Sequence, residues 1–299
     1  MSKIDESKFH DIGQNLPVTH HHNIYPGIEP TKFQGSMNGK REVGLCLWVV
    51  FITGASRGIG ESTAHAFAKS GALLFLASRR LETLEAVKKE IQKDLPSAKV
   101  AYHVTDVVKP DDVKRAVEAC IQTFGQLDIV ISNSGVSEGF IGMTDIDPEK
   151  WWYTWLYHSP SVKIRRTSDF RLKHRSSIFD TGAFGIPKVS HSLSWRHDEA
   201  KQHLHSTKHA LNRVVEFIVA GGVNTAMADT VGAEIRKYLI DDVQLSAWTM
   251  VRLASGKDDY LSGRYVSANW DLDEVTTKWK AGIVGDDALK NRLLLPRGE

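Results

Sequence analysis

The sequence predicts an α/β protein with a doubly wound parallel sheet. Two observations point there. Between residues 45 and 132, short apolar runs of strand length alternate with amphipathic segments of helix length, the pattern of successive βαβ units with right-handed crossovers. The first of these runs opens into a turn with glycines at positions 54, 58 and 60. A chain of 299 residues with 41% hydrophobic and 25% charged residues has the composition of an ordinary globular protein, long enough to bury a substantial core.

Leu45 to Thr53 is apolar and rich in β-branched residues, and reads as the first strand. Gly60 to Ser70 has helical spacing, with Ala64, Phe67 and Ala68 on one face and Gly71 as its stop. Leu73 to Ala77 is a short apolar run, predicted as a second, buried strand. Leu81 to Leu95 aligns Leu81, Leu84, Val87 and Ile91 on a helix that Pro96 ends. Val100 to Val104 is predicted as the third strand, Asp111 to Phe124 as a helix with Val113, Ala116, Val117 and Ile121 inward, and Leu127 to Ser132 as the fourth strand. Residues 41–299 read as one domain preceded by a polar arm over 1–40, in which His20, His21 and His22 are expected to be a solvated tail rather than a metal site.

The charge balance excludes other classes. A formal net charge of +2 does not suit a strongly basic nucleic-acid binder or an acidic disordered chain. The two cysteines, Cys46 and Cys120, form no metal-binding or disulfide framework, which favours a reducing compartment. No apolar run reaches the roughly 18 residues of a membrane span, and the polar first ten residues lack the apolar core of a signal peptide. The expected location is cytoplasmic, with no membrane or nucleic-acid partner and no metal.

The turn Thr53-Gly54-Ala55-Ser56-Arg57-Gly58-Ile59-Gly60 lies between a predicted strand and a predicted helix. That context lets backbone approach a pyrophosphate, while the helix N-terminus offers unpaired N–H groups and partial positive charge. The second strand ends in Ser78-Arg79-Arg80, where an acidic residue would hold the ribose diol of NAD. Guanidinium groups there, with Arg57 inside the glycine turn, suit a 2′-phosphate and point to NADP(H) rather than NAD(H).

Thr53 to Gly60 resembles the TGxxxGxG motif of the short-chain dehydrogenase/reductase family, in the style of its fungal members. Asp106-Val107 is similar to the family's adenine-contacting element, and Ser132-Asn133-Ser134-Gly135 to its Asn-Asn-Ala-Gly element, which supports the sheet beside the cofactor. The match resumes at Ser206-Thr207-Lys208-His209, which resembles the end of the Tyr-x-x-x-Lys active-site helix, at Gly221 to Thr225, whose Thr225 would meet the nicotinamide carboxamide, and at Leu261 to Val266, which resembles the last strand. The resemblance implies a Rossmann fold, hydride transfer between a nicotinamide and a carbonyl or secondary alcohol, and a small-molecule substrate. It also implies a homo-oligomer and a cofactor site made of Gly54, Ser56, Arg57, Gly58, Ile59, Gly60, Ser78, Arg79, Asp106, Val107, Asn133, Gly135, Lys208 and Thr225.

The resemblance breaks over residues 156–206. Four residues before Lys208, where the family places its acid/base Tyr, stands Leu204, which has no proton to give, so Lys208 is the one catalytic residue carried over. His158 stands where the relay Asn is expected, and Ser176, Ser177, Ser190 and Ser192 compete for the catalytic Ser. The segment carries nine Lys/Arg against four Asp/Glu and six of the thirteen histidines. Its longest strand candidate, Ala183 to Val189, is interrupted by Gly185 and Pro187. A fifth strand is therefore doubtful, and so is a sixth, because little chain separates Phe217 from the Gly221-Gly222 turn. Arg41 to Trp48 reads as extra sequence. A reading-frame error or misplaced exon boundaries would account for all three departures, leaving a cofactor half without a working catalytic half. A non-catalytic NADP(H)-binding protein is the alternative. Residues 226–250 are expected to include the substrate lid, with Met227, Trp248 and Met250 either lining it or packing in the core.

Overall fold

A computed structural model describes residues 16–41, 44–136, 145, 147–157, 177–182, 216–230 and 236–290. Its centre is a seven-stranded parallel sheet. In chain order, a hairpin of β1 (Asn38–Arg41) and β2 (Gly44–Leu47) precedes β3 (Val49–Thr53), α1 (Gly58–Lys69), β4 (Leu73–Ser78), α2 (Leu81–Asp94), β5 (Val100–Val104), α3 (Pro110–Phe124), β6 (Ile129–Ser132) and α4 (Pro148–Tyr157). Then come β7 (Ser177–Gly182), β8 (Glu216–Val219), α5 (Val243–Ala254) and β9 (Tyr265–Ser267). The spatial order β5-β4-β3-β6-β7-β8-β9 reverses direction at β3 and β6, which makes the sheet doubly wound.

All five residues of β3 are buried, and they alternate between two cores. Val50 and Ile52 face a cluster with Ala64 and Phe67 of α1, Leu84, Val87 and Ile91 of α2, and Leu245, Trp248 and Met250 of α5. Val49 and Phe51 face Phe75, Val113, Ala116, Val117 and Cys120 on the opposite side. Phe51 and Phe75 stack across adjacent strands at 5.5 Å. Two covered faces explain why β3, β4 and β6 read as near-continuous apolar runs. Trp248 and Met250 are core residues, which resolves the choice left open between lid and core.

The structure corrects the sequence reading at four places. Both doubted strands are present. The fifth is Ser177–Gly182, upstream of the interrupted Ala183–Val189 run, and it pairs in register with β6 from Ile129↔Ser177 to Ser132↔Asp180. The sixth is Glu216–Val219 itself, between β7 and β9. A strand flanked on both sides satisfies its backbone groups through the ladder, so Asp180, Thr181 and Glu216 can belong to one without an apolar run.

The stretch expected as one long first strand is divided. Gly44–Leu47 turns back on Asn38–Arg41, so the apparent extra sequence forms a hairpin before the central strand. The stretch expected as a polar arm is docked from residue 16 onward. Tyr25, Ile28, Phe33 and Met37 are core residues. His21 and His22 are not a solvated tail, because they contact the carboxylates of Asp271 and Asp241 and His21 stacks on Tyr25 at 4.0 Å.

Candidate functional site: a dinucleotide cradle

The glycine turn sits where the sheet order reverses, at the carboxyl ends of β3 and β6. Gly54 (φ +63°) and Gly58 (φ +59°) adopt the left-handed region that favours glycine. Gly60 is held by proximity instead. A Cβ there would lie 2.3 Å from the Gly54 carbonyl oxygen and 2.4 Å from Asn133 Nδ2, so only glycine lets α1 start this close to the strand end. Arg57 precedes α1 in extended conformation and makes no side-chain cap, while the Glu61 carboxylate takes a hydrogen bond from the Gly58 N–H in the first turn of α1.

The predicted Asn133 fixes this turn. Its Nδ2 donates to the carbonyls of Thr53 and Gly54, each at 3.1 Å. The backbone N–H groups of Asn133 and Ser134 both donate to Thr53 Oγ1 at 3.1 Å. The β6 end and the β3 end are thereby tied into one unit, with Gly135 half-buried beside it. Thr225, expected on the nicotinamide side, stands across the turn, with its Cγ2 3.2 Å from where a Gly58 Cβ would be. Ser56 is half-buried and Ile59 buried in the same turn.

The adenosine end is built from the next two strands. Ser78 is buried at the end of β4, and its carbonyl accepts from Thr105 N–H at 2.8 Å. Asp106 follows, its Oδ1 accepting from Val108 N–H at 3.1 Å, while Val107 is buried below. Arg79 is exposed, and its guanidinium lies 5.4 Å from the ring centroid of Tyr157. Tyr157 is the site residue that sequence reasoning missed. It ends α4, a helix whose start is distant in sequence from the strands it meets, so no local motif marks it. Burial raises its hydroxyl pKa, while Arg79 pulls the other way.

Lys208, Leu204, His158, Ser176, Ser190 and Ser192 lie outside the described residues; Ser177 begins β7. Among the described residues, one group of side chains could hold a metal ion: Glu61 and His65 on α1 with Glu90 on α2. Burial first, and Glu90 next, push the Glu61 carboxyl up.

A short chain dehydrogenase family model matches residues 48–156, which carry the glycine turn, Ser78, Arg79, Asp106 and Asn133. The chain is 30% identical over 288 residues to the short chain dehydrogenase mpl6 of Monascus purpureus, covering 92% of this chain and 95% of that protein.

The chain belongs to the short-chain dehydrogenase family.

Another fungal relative, pigC of Monascus ruber, is 27% identical over 312 residues, covering 94% of each chain. Among solved structures, levodione reductase superposes with a TM-score of 0.63 at 21% identity, covering 74% of this chain and 96% of that one. The Brucella melitensis 3-ketoacyl-(acyl-carrier-protein) reductase, solved with NADH, gives 0.62 at 20% identity, covering 74% of this chain and 96% of that one. These likenesses agree with the doubly wound sheet and the Rossmann-type cradle. No helix among the described residues is long and apolar enough to cross a membrane.

Proposed function

We propose that this short-chain dehydrogenase binds NADP(H) in preference to NAD(H), and that the reaction its fold serves is hydride transfer between the nicotinamide and a carbonyl or secondary alcohol. The observation carrying the cofactor reading is the end of β4: a buried Ser78 followed by Arg79, with the Arg79 guanidinium set over the Tyr157 ring where an acidic side chain would otherwise hold a ribose diol. A second arginine, Arg57, stands in the glycine turn. The archaeal alcohol dehydrogenase of Thermococcus sibiricus, solved with 5-hydroxy-NADP, is 25% identical over its aligned part, with a TM-score of 0.55, covering 69% of this chain and 89% of that one.

The cradle fits a dinucleotide. Gly54, Gly58 and Gly60 let the turn pack closely against Asn133, Ser134 and Thr225 at the start of α1, where a pyrophosphate would sit, and Asn133 keeps the turn in that shape. Thr225 takes the nicotinamide side and Lys208 its ribose. Bound there, the nicotinamide supplies or accepts the hydride. Proton transfer to the substrate oxygen is the step this sequence leaves without its Tyr, because Leu204 occupies that place. Losing a positioned acid/base costs about 10²- to 10⁴-fold, so turnover by the chain as written is small.

A second reading follows from the same residue. With Leu204 for Tyr, the protein serves as a non-catalytic NADP(H) binder, or residues 156–206 record a faulty gene model. The protein acts in the cytoplasm on small molecules, without membrane or nucleic-acid partners, and self-associates through its central helices. Titration with NADPH and NADH, followed by turnover assays over aldehydes, ketones and secondary alcohols, tests the reading. NADPH binding with little turnover supports it; preference for NADH overturns the cofactor assignment. Sequencing the transcript across residues 150–225 separates the gene-model explanation, which predicts a Tyr four residues before Lys208.

A further inference from the structure

The charged groups at the adenosine end come from separate elements, and they converge on one buried ring. Arg57 lies in the turn after β3, Arg79 at the end of β4, Asp106 after β5 and Tyr157 at the last position of α4. Arg79, Asp106 and Arg57 each act electrostatically on the Tyr157 hydroxyl. Tyr157 is 7% exposed and packs in the cluster that holds Val107, Val113 and Val117, so its position is fixed by the core. Arg79 is exposed, between the end of β4 and the N-cap of α2. Among the described residues it is the one arginine held over an aromatic ring.

We propose that Tyr157 is a positioning residue for recognition of the adenosine 2′-phosphate: its ring carries the Arg79 guanidinium and thereby sets the discrimination between the 2′-phosphorylated and unphosphorylated dinucleotide. This rests on the NADP(H) reading above. A guanidinium resting on a ring face keeps its N–H edges open for a bidentate contact with phosphate oxygens. An arginine already held in place also loses less side-chain freedom on binding than one sampling many rotamers. The distance of 5.4 Å is within the range of cation–π attraction. The ring acts through Arg79, which lies at the end of β4.

The test measures dissociation constants for NADPH, NADH, 2′,5′-ADP and 5′-AMP with the full chain and the variants Arg79→Ala, Tyr157→Phe, Tyr157→Leu and Arg79→Ala/Tyr157→Leu. The reading beneath the proposal requires that the unaltered chain prefer NADPH and that Arg79→Ala erase most of that preference. Failure of either overturns the reading and the proposal together. Given both, Tyr157→Leu is expected to weaken NADPH and 2′,5′-ADP about five-fold, with NADH and 5′-AMP changed less than two-fold. Tyr157→Phe retains the preference, and the double variant is no worse than Arg79→Ala. Equal weakening of both dinucleotides by Tyr157→Leu, or an additive double variant, overturns the proposal while leaving the NADP(H) reading intact.

Because Tyr157 is a core residue, a second measurement avoids altering it. In the unaltered protein labelled at arginine, the side-chain proton signals of Arg79, assigned by their loss in Arg79→Ala, are expected upfield from ring-current shielding. Signals at ordinary arginine positions overturn the proposal without any Tyr157 variant.

Discussion

Arg252 and Asp258 meet as a bidentate ion pair with neither side chain exposed: Nε donates to Oδ2 at 2.7 Å and Nη2 to Oδ1 at 3.2 Å, with both side chains at 0% exposure. The pair does more than join the last turn of α5 to the loop that follows it. Arg252 Nη1 donates to the Gly27 carbonyl at 3.1 Å and faces Asp273 Oδ1 at 2.8 Å, and Thr276 Oγ1 donates to Asp258 Oδ1 at 3.0 Å. The end of α5, the N-terminal segment and the C-terminal helical segment therefore share one buried guanidinium.

Removing one partner strands the other's charge in the interior. Asp258→Ala leaves the buried Arg252 with the half-exposed Asp273 as its remaining carboxylate partner, and is expected to lower unfolding free energy by about 3 kcal/mol, the low end of the cost of breaking a buried pair. Lys257→Ala, whose partner Asp273 is half exposed, is expected to cost less than about 1 kcal/mol. Urea unfolding of the two variants checks the contrast, and similar losses in both would contradict the burial argument.

Gly60→Ala places a methyl group against the Gly54 carbonyl and Asn133 Nδ2. The neighbours are backbone and a fully engaged amide, so neither can give way cheaply. Binding of NADPH is expected to fall by at least ten-fold, measured by titration against a variant such as Gly282→Ala, where a Cβ meets nothing within 4 Å.

Leu204→Tyr restores the residue type that the family places four positions before its Lys. Turnover is expected to rise by about 10²- to 10⁴-fold over the chain as written, with NADPH affinity unchanged. An unchanged rate would place the defect in the surrounding segment rather than at this single side chain.

Glu274 is held well below the usual carboxylate range, at about 2, chiefly by the ammonium of Lys278 and then by the Thr19 hydroxyl and N–H. Its folded-state value is below its unfolded value near 4.5, so its contribution is fully present above pH 4.5 and is lost as pH falls toward 2. Glu274→Gln should lower stability above pH 4.5 and flatten the acid limb, so that the two stability curves converge as pH falls toward 2. Thermal unfolding across pH 2–6 measures it.

Cys120 is buried against β3, and burial pushes its thiol up to about 12. In a Cys46→Ser background a thiol reagent at pH 8 is expected to label Cys120 only as fast as the protein opens, since the thiolate is the reactive form. Immediate labelling of the folded chain would contradict its placement.

The parts legible in the sequence are those whose cause is local. The glycine turn could be read because its positive φ values and the close approach at Gly60 demand one residue type. β3, β4 and β6 could be read because two covered faces force apolar residues at consecutive positions. β7 could not: its membership is set by backbone pairing to β6 and β8, which the sequence Ser-Ile-Phe-Asp-Thr-Gly does not advertise. The core role of Tyr25, Ile28, Phe33 and Met37 was hidden for a related reason, since prolines and a glycine interrupt any period there. Tyr157 was invisible because its partners are strand ends far away in sequence.

The docked N-terminal segment sets the order in which this protein can be completed. Thr19 bonds Glu274, Tyr25 Oη donates to the Trp270 carbonyl at 3.1 Å and accepts from Leu272 N–H at 3.0 Å, and His21 and Asn269 exchange backbone and side-chain hydrogen bonds. A ribosome releases these partners about 250 residues apart, and at roughly 5–20 residues per second their synthesis is separated by more than ten seconds. During that interval Tyr25 has made its polypeptide debut without the residues that bury it. The nascent protein must keep this early segment waiting until the partners at residues 269–274 have been made.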